Sequence, residues 1–599
     1  MPQKKKRILE NPYLFKKGKG GGHIRIREAN GEENHTHRSD GPIRRSFGRC
    51  EAAMSQPNTE HIIVSLSSIE KLINDINQNK ICDCKSNLNL NVVGRKCLSN
   101  TATLICSKCR KESKAIKLYE EYKPATNTNK NAHPSSTLNA AFAAALLNTS
   151  IGPTQARQLL QSMGICAGSI NGLTNLTHSI GEIIKTLADE NLQNERRKLR
   201  YKPDIAITVD GIYNNRTTYC KSPYQAATQL TFSILAHDNS RPQSRPKIVD
   251  MKLKNKLCPT GHKANIDGKV PPCPNHPGCT ANCREDDSIA NEGALITETL
   301  DLLKSDNVSV QYLCSDGDSS ISKQVKKTNQ SIQLCKDRHH FARNMRKRIK
   351  GIQLSPKCFE TKNKKTKQQR QGWFANDITK RTEAEFTKAM NEARRTKKTS
   401  EKIKLEAIKL LKDTPLAIIR CHSGQCGESC EINSRVCNGK NGYRKHCTYK
   451  GPVNLNQSDE EKLLKVLQAR LGHEGVTQTF TALSTQGNEA LNRSFVKTCP
   501  KNITCSRIFP ARAARNALNY NLGFPESTLL ILNRLGHPMS EQCYKLMIQD
   551  ENKQKIINKH HKSKRRKARR HLASIQKYFR YKKSQSVTYQ RGIELGLGL

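Results

Sequence analysis

The stretch Asp204-Ile-Ala-Ile-Thr-Val-Asp210-Gly211 decides the fold. Ile205, Ile207 and Val209 alternate with Ala206 and Thr208, the period-2 pattern of a strand, and the run ends on a carboxylate followed by glycine. Val308-Ser-Val-Gln-Tyr-Leu-Cys-Ser-Asp316-Gly317 has the same form. Both read as buried strands that stop on an acid. Between them, apolar runs at 229–235 and 247–253 predict two more strands. A cysteine-rich insert and a helix over about 287–304 follow, with Ile289, Ile296, Leu300 and Leu303 on one face. Beyond Asp316 the pattern predicts a polar helix from Ser319, a strand at 332–335 and a helix from about 338.

The order βββαβαβα is the connectivity of a ribonuclease-H-like α/β core, with acids on its first and fourth strands. A third acid lies in Gly487-Asn488-Glu489-Ala-Leu-Asn492-Arg493. This segment reads as a helix: Asn492 and Arg493 share the face of Glu489, while Leu491 and Phe495 point to a core. Taken singly, Asp-Gly is common in turns and a Glu–Arg pair is ordinary on a solvated helix. Taken together, Asp210, Asp316 and Glu489 offer the oxygen ligands that two hard divalent cations need for phosphoryl transfer. Asp318 competes with Asp316, which is preferred because it ends its strand directly. Asp337 and His340 share one face of the following helix; His340 is a candidate for contacting a phosphate or positioning the site. On that helix His339, Arg343, Arg346 and Lys350 form a basic stripe, and Phe341, Met345 and Ile349 an apolar one.

The charge of the 599-residue chain is lopsided: 103 Lys+Arg against 52 Asp+Glu, formally +51. Such a balance points to a polyanionic partner, nucleic acid first and an anionic membrane surface second. No apolar run approaches the ~20 residues that span a bilayer, and no secretory signal is seen at the start, so an intracellular protein is expected. In that setting the 23 cysteines read as metal ligands or buried thiols rather than disulfides.

Three Cys/His clusters have zinc-like composition. Cys82 and Cys84 pair with Cys106 and Cys109 in a zinc-ribbon-like arrangement whose first knuckle is one residue short, and Cys97 is an alternative ligand. The second cluster runs Cys258, His262, Cys273, His276, Cys279, Cys283. The third runs Cys421, His422, Cys426, Cys430, Cys437, His446, Cys447. The last two hold more ligands than one tetrahedral ion takes.

These features divide the chain into a basic disordered tail (1–60), a cysteine module (61–120), a helical region (137–200), a catalytic core (203–525) and a basic tail (550–599). The core carries a Cys-rich insert at 255–286 and a helical, Cys-rich insertion at 351–480. The runs Lys4-Lys5-Lys6-Arg7 and Lys562 to Arg570 suit nuclear import or DNA contact, or are solvated tails without a role.

The motifs Val209-Asp210-Gly211-Ile-Tyr213, Ser315-Asp316-Gly317-Asp318-Ser319-Ser320, Asn488-Glu489-Ala-Leu-Asn492 and Asp337-x-x-His340 together resemble the Mutator-like transposases of the DDE class. Arg512-Ala-Ala-Arg515 with Asn519 adds to the likeness, which covers roughly 75–525. Tyr213 stands where the family often has Trp. The resemblance implies a ribonuclease-H-like domain interrupted by a helical insertion, with metal-binding catalysis by Asp210, Asp316 and Glu489 and an accessory role for His340. It implies Mg²⁺ or Mn²⁺ at that site, structural Zn²⁺ elsewhere, double-stranded DNA as partner, self-association on DNA and a nuclear location. The rival readings are a catalytically silent, zinc-dependent DNA-binding protein and a metal-dependent nuclease acting on RNA or hybrid duplexes.

Overall fold

The computed structural model describes residues 62–563, apart from 123–134, 215–226, 239–244, 261–272, 440–446 and scattered shorter segments. The expected tail at 1–60, the basic run at its start, most of the run after Lys562, His262, His446 and Asp318 all lie outside the described residues.

Helix α1 (Leu66–Gln78) precedes strands β1 (Leu88–Lys96), β2 (Ser99–Cys106) and β3 (Ile116–Lys117), an antiparallel sheet in the order β1-β2-β3. A two-residue ladder, β4 (Glu121–Tyr122) with β5 (Ser135–Ser136), leads into α2 (Thr137–Leu146), α3 (Pro153–Ser162) and α4 (Ile170–Arg197). Helices α2 and α4 each begin on a serine, Ser136 or Ser169, whose hydroxyl accepts a backbone N–H of the first turn.

The central sheet holds β6 (Ile205–Tyr213), β7 (Gln229–Asp238), β8 (Lys247–Asn255), β9 (Val310–Ser315) and β10 (Gln333–Lys336), in the order β10-β9-β6-β7-β8. The pairs β6–β7 and β7–β8 are antiparallel, and β6–β9 and β9–β10 parallel. Helix α5 (Glu292–Ser305) connects β8 to β9, α6 (Ser319–Thr328) connects β9 to β10, and α7 (Arg338–Gly351) follows. Strand β6 does not stop at Asp210. Gly211, Ile212 and Tyr213 continue the ladder against Phe232, Thr231 and Leu230 of β7, so the antiparallel partner carries the strand through the Asp-Gly pair.

The pleat assigns the two faces. Ile205, Ile207 and Val209 pack with Leu295, Ile296 and Leu300 of α5 and Ile321 and Val325 of α6. Each fully buried Ile or Val adds roughly 1.5–3 kcal/mol of transfer free energy. Ala206 faces the other way, into a core shared with Met345 and Ile349 of α7 and with the insertion.

The insertion is helical: α8 (Lys364–Thr396), α9 (Ser400–Leu411), α10 (Thr414–His422), α11 (Glu428–Asn433), α12 (Gln457–Leu471) and α13 (His473–Thr477). Its core, with Phe374, Ile378, Phe386, Leu463 and Leu467, is continuous with Cys314 and Cys335 of the sheet. An ionic clamp around the fully buried Arg470 docks it. Glu383 of α8 accepts from Arg338 Nε (2.8 Å) at the start of α7 and from Arg470 Nε (2.7 Å) of α12. Burial opposes ionisation of Glu383, but Arg470 and Arg338 hold its carboxyl below the usual range. Helices α14 (Gln486–Thr498), α15 (Phe509–Leu522), α16 (Phe524–Arg534) and α17 (Glu541–Lys562) complete the chain described. Ala511, Ala514 and Leu518 of α15 share a core with Ile180, Ile184 and Leu187 of α4, so the 137–200 helices and the C-terminal helices form one packed unit. Helix α17 occupies the first part of the segment expected to be a tail.

Asp337 ties two of these helices together. Fully buried, it caps α7 by accepting from the backbone N–H of His339 and His340 (2.7 and 2.9 Å). Its other oxygen accepts from Ser484 Oγ and Thr485 N, both at 2.8 Å, just ahead of α14. Burial would raise this carboxyl, but these hydrogen bonds outweigh it and hold the group below its ordinary range. Asp337→Ala is expected to cost on the order of 3 kcal/mol, and Asp337→Asn less, since an amide oxygen still accepts. Urea unfolding of both variants checks this ordering.

Candidate active site and metal centres

The parallel register between β6 and β9 sets Thr208 opposite Cys314, so Asp210 and Asp316, two residues on, stand level at one end of the sheet. Asp316 directly follows the last residue of β9 and is exposed. Helix α14 brings the third acid by a side-chain zip along β6. Thr208 Oγ1 donates to Asn488 Oδ1 (2.8 Å), and Asn488 Nδ2 donates to Ser233 O (2.8 Å) and Thr208 O (3.2 Å). One turn on, Asn492 Nδ2 donates to Asp210 Oδ2 at 2.9 Å. Two strand residues advance ~6.6 Å and four helical residues ~6 Å, which is why 208/210 match 488/492. Gly487 permits the approach: a Cβ there would lie 2.9 Å from Leu235 Cδ1.

Glu489 follows Asn488 and is half-buried. Arg493 Nη2 donates to its Oε2 (2.9 Å), and His340 Nε2 lies 3.9 Å from its Oε1. The structure therefore brings His340 of α7 to Glu489 of α14. Met345 and Ile349 are buried, while Arg343, Arg346 and Lys350 are exposed, so the basic stripe on α7 faces solvent.

A fourth carboxylate, not singled out in the sequence, stands at the same place. Glu292, in the first turn of α5, is nearly buried and accepts from Tyr213 Oη at 2.6 Å. A Cβ on Gly211 would lie 2.5 Å from Glu292 Oε1. Gly211 is thus not a turn residue but the clearance through which Glu292 reaches the strand. A glycine inside a strand was the available signal for a close approach.

Burial, then the charges of Asp316, Glu292 and Glu489 in that order, push the Asp210 carboxyl up to about 7. Converging carboxylates that disfavour one another's ionisation have the electrostatics a divalent cation relieves, and oxygen donors suit Mg²⁺ or Mn²⁺.

Away from this end, three quartets have ligand atoms within 4.8 Å of one another: Cys82, Cys84, Cys106, Cys109; Cys258, Cys273, His276, Cys279; and Cys421, Cys426, Cys430, Cys437. Tetrahedral zinc with bonds of ~2.3 Å needs sulfur–sulfur edges of roughly 3.8 Å. The contacts Cys421–Cys437 (3.9 Å), Cys426–Cys437 (3.5 Å) and Cys279–Cys273 (3.7 Å) fit that size. Each quartet can hold a structural zinc. Cys97, Cys283 and His422 are in none of them. Cys97 backs onto Gly168, Cys283 is a buried thiol, and the His422 ring packs edge-on against Phe374. In the third quartet the fully buried Arg381 reaches Cys421 Sγ (3.2 Å) and Cys430 Sγ (3.7 Å), a cationic support for thiolate charge.

The fold is therefore mixed α/β, with four carboxylates at one end of its central sheet and three cysteine-rich quartets that could hold zinc. A family model described as Mutator-like transposase matches residues 60–437, more than half of the chain, and the chain belongs to that family. The match ends before Glu489. No curated protein matches the sequence. A solved structure of the Drosophila P element transposase strand transfer complex is similar at 10% identity, over 68% of this chain and 93% of that one. Its TM-score of 0.24 is too low to carry an argument.

Two outcomes follow. Zinc-replete protein is expected to release up to three zinc ions per chain to a thiol-blocking mercurial, and Cys426→Ser about one fewer; a colorimetric chelator counts them. For Asp210 the folded value lies above the unfolded one, so its contribution to stability is present in acid and lost as pH rises through about 7. In chelator, the melting temperature of wild type relative to Asp210→Asn should fall between about pH 4 and about pH 7 and level off above that, with Mg²⁺ restoring more at the higher pH.

Proposed function

We propose that the protein is a DNA transposase of the DDE type with a ribonuclease-H-like core, in which Asp210, Asp316 and Glu489 hold divalent cations. The observation that carries this is the meeting of Asp210, Asp316, Glu489 and Glu292 at one sheet end, where their charges act together on Asp210. Mg²⁺ or Mn²⁺ bound there would supply Lewis-acid activation of water for phosphodiester hydrolysis at an element end, and of the freed 3′-hydroxyl for joining to target DNA. Glu292, held by Tyr213, is read as a fourth acid of the centre. Asn492 orients the Asp210 carboxylate, and Arg493 and His340 orient Glu489. A ring N–H of His340 is also available to donate a hydrogen bond to a phosphate oxygen. The exposed Arg343, Arg346 and Lys350 suit backbone phosphates, in keeping with a formal charge of +51. Double-stranded DNA as partner, self-association on paired element ends and a nuclear location belong to this reading, as does zinc in the three quartets.

The test is a strand-transfer assay with a labelled element-end duplex and supercoiled target in Mg²⁺ or Mn²⁺. Wild type should cut and join. Asp210→Asn, Asp316→Asn and Glu489→Gln should each lose at least ~10³-fold while still binding DNA, and Glu292→Gln should lose ~10-fold or more. Cutting without joining would make the protein a nuclease; binding without either would make it a silent DNA-binding protein. Arg343→Ala with Arg346→Ala is expected to lower the slope of log affinity against log salt by about 2.

A further inference from the structure

The helices ahead of the central sheet form a small unit with a core of its own. Phe142 and Leu146 of α2, Ala156 of α3 and Leu173 of α4 pack together. Between α3 and α4 the chain reverses sharply. Gly164 takes the left-handed conformation (φ 73°), and Ile165 N–H then reaches back to Leu160 O at 2.9 Å, closing the end of α3. Ser169 starts α4, its hydroxyl accepting from Gly172 N at 3.1 Å. Three packed helices, the last two joined by a glycine turn, have the layout of a helix-turn-helix.

The first turns of α4 have two distinct faces. Leu173, Thr177 and Ile180 are buried. On the opposite side Asn171 and Asn175 are exposed, and Thr174 and His178 half-buried. These four are spaced i, i+3, i+4, i+7, so they form one stripe of hydrogen-bonding groups, and no acid stands in the first turn. Burial, then the charge of the exposed Arg507, lowers His178 below its ordinary range, so its neutral ring offers one donor and one acceptor. Glu182, one turn further on and paired with Lys185 (2.6 Å), marks the end of the stripe.

The hairpin between β1 and β2 is fixed beside the start of α4. A Cβ on Gly168 would lie 3.1 Å from Cys97 N in the hairpin turn. Asn139 of α2 holds both sides of that turn: its Nδ2 donates to Lys96 O (2.8 Å) and its Oδ1 accepts from Leu98 N (3.0 Å). Arg95 and Lys96, both exposed, are thereby kept close to the stripe.

We infer that α2, α3 and α4 are a helix-turn-helix unit that reads duplex DNA. Asn171, Thr174, Asn175 and His178 enter the major groove, and Arg95 and Lys96 meet the phosphates beside it. Seven residues of helix advance ~10 Å, about three base-pair steps of ~3.4 Å. Asparagine is the side chain that pairs bidentately with adenine, so the selected site contains an A·T pair. The inference rests on the reading of the protein as one that acts on DNA, but not on its carboxylates, because sequence reading and cutting are done by different elements.

The test enriches a pool of random-sequence DNA duplexes on the full-length, zinc-loaded protein without Mg²⁺, then measures affinity for the enriched duplex. A motif containing an A·T pair should emerge. Asn171→Ala with Asn175→Ala should weaken binding to it about tenfold or more, with affinity for unselected duplex and the melting temperature unchanged. Arg95→Ala with Lys96→Ala should weaken both duplexes alike and lower the slope of log affinity against log salt by about 2. No enriched motif, a motif indifferent to the asparagine pair, or equal affinity for the same sequence as duplex RNA would overturn the inference. The expected motif, enriched by a wild type that neither cuts nor joins, would uphold it and count only against the reading of the sheet end.

Discussion

The candidate site hangs on a carboxylate that takes no part in its chemistry. Asp337 has four short hydrogen bonds from two distant pieces of chain and is fully buried. Through one oxygen it starts the helix that carries His340. Through the other it fixes the chain that enters the helix carrying Glu489. Without it those two helices would meet the sheet independently, and the 3.9 Å approach of His340 to Glu489 would have nothing to set it.

From that anchor the rest is placed by matched repeats. Strand and helix advance by nearly equal steps between the two asparagines of α14, so Asn488 buries its amide against β6 and β7 while Asn492 meets Asp210. Asp210 and Glu292 are held by the uncharged Asn492 and Tyr213, and Glu489 by Arg493. The electrostatic strain this creates falls on Asp210, the most enclosed of the three sequence-named acids, and is stored only because packing around β6 resists relaxation. Further out, the Glu383 clamp seats the insertion on α7, so the largest irregular part of the chain is bolted to the element beside the site.

What the residues disclose in advance is what local pattern encodes. The alternation in 205–209 and the helical spacing of Leu491 and Phe495 follow from side-chain direction alone, and both faces are found buried as that spacing requires. The end of β6 was not legible, because it depends on a ladder with β7 rather than on Asp-Gly itself. Glu292 was hidden for a related reason. Its place over Gly211 comes from how α5 crosses the sheet, and nothing near residue 292 records that crossing. The cysteine runs gave the three neighbourhoods but not the ligands: Cys283 and His422 have the right chemistry and sequence position, yet neither lies in a quartet. Asp337 was read for the face it shares with His340, whereas it is consumed as a cap and tether.

Chain order has a consequence in time. The partner of Asp210, Asn492, is 282 residues further along. At ~5–20 residues per second, a ribosome needs roughly 15–55 s to pass from one to the other. Throughout that interval the nascent sheet can fold around Asp210 and Asp316, and basic α7 can meet polyanions, while the helix bearing Glu489 does not yet exist. The insertion thus acts as a delay line, and the last acid arrives only after most of the structure that must hold it has been made.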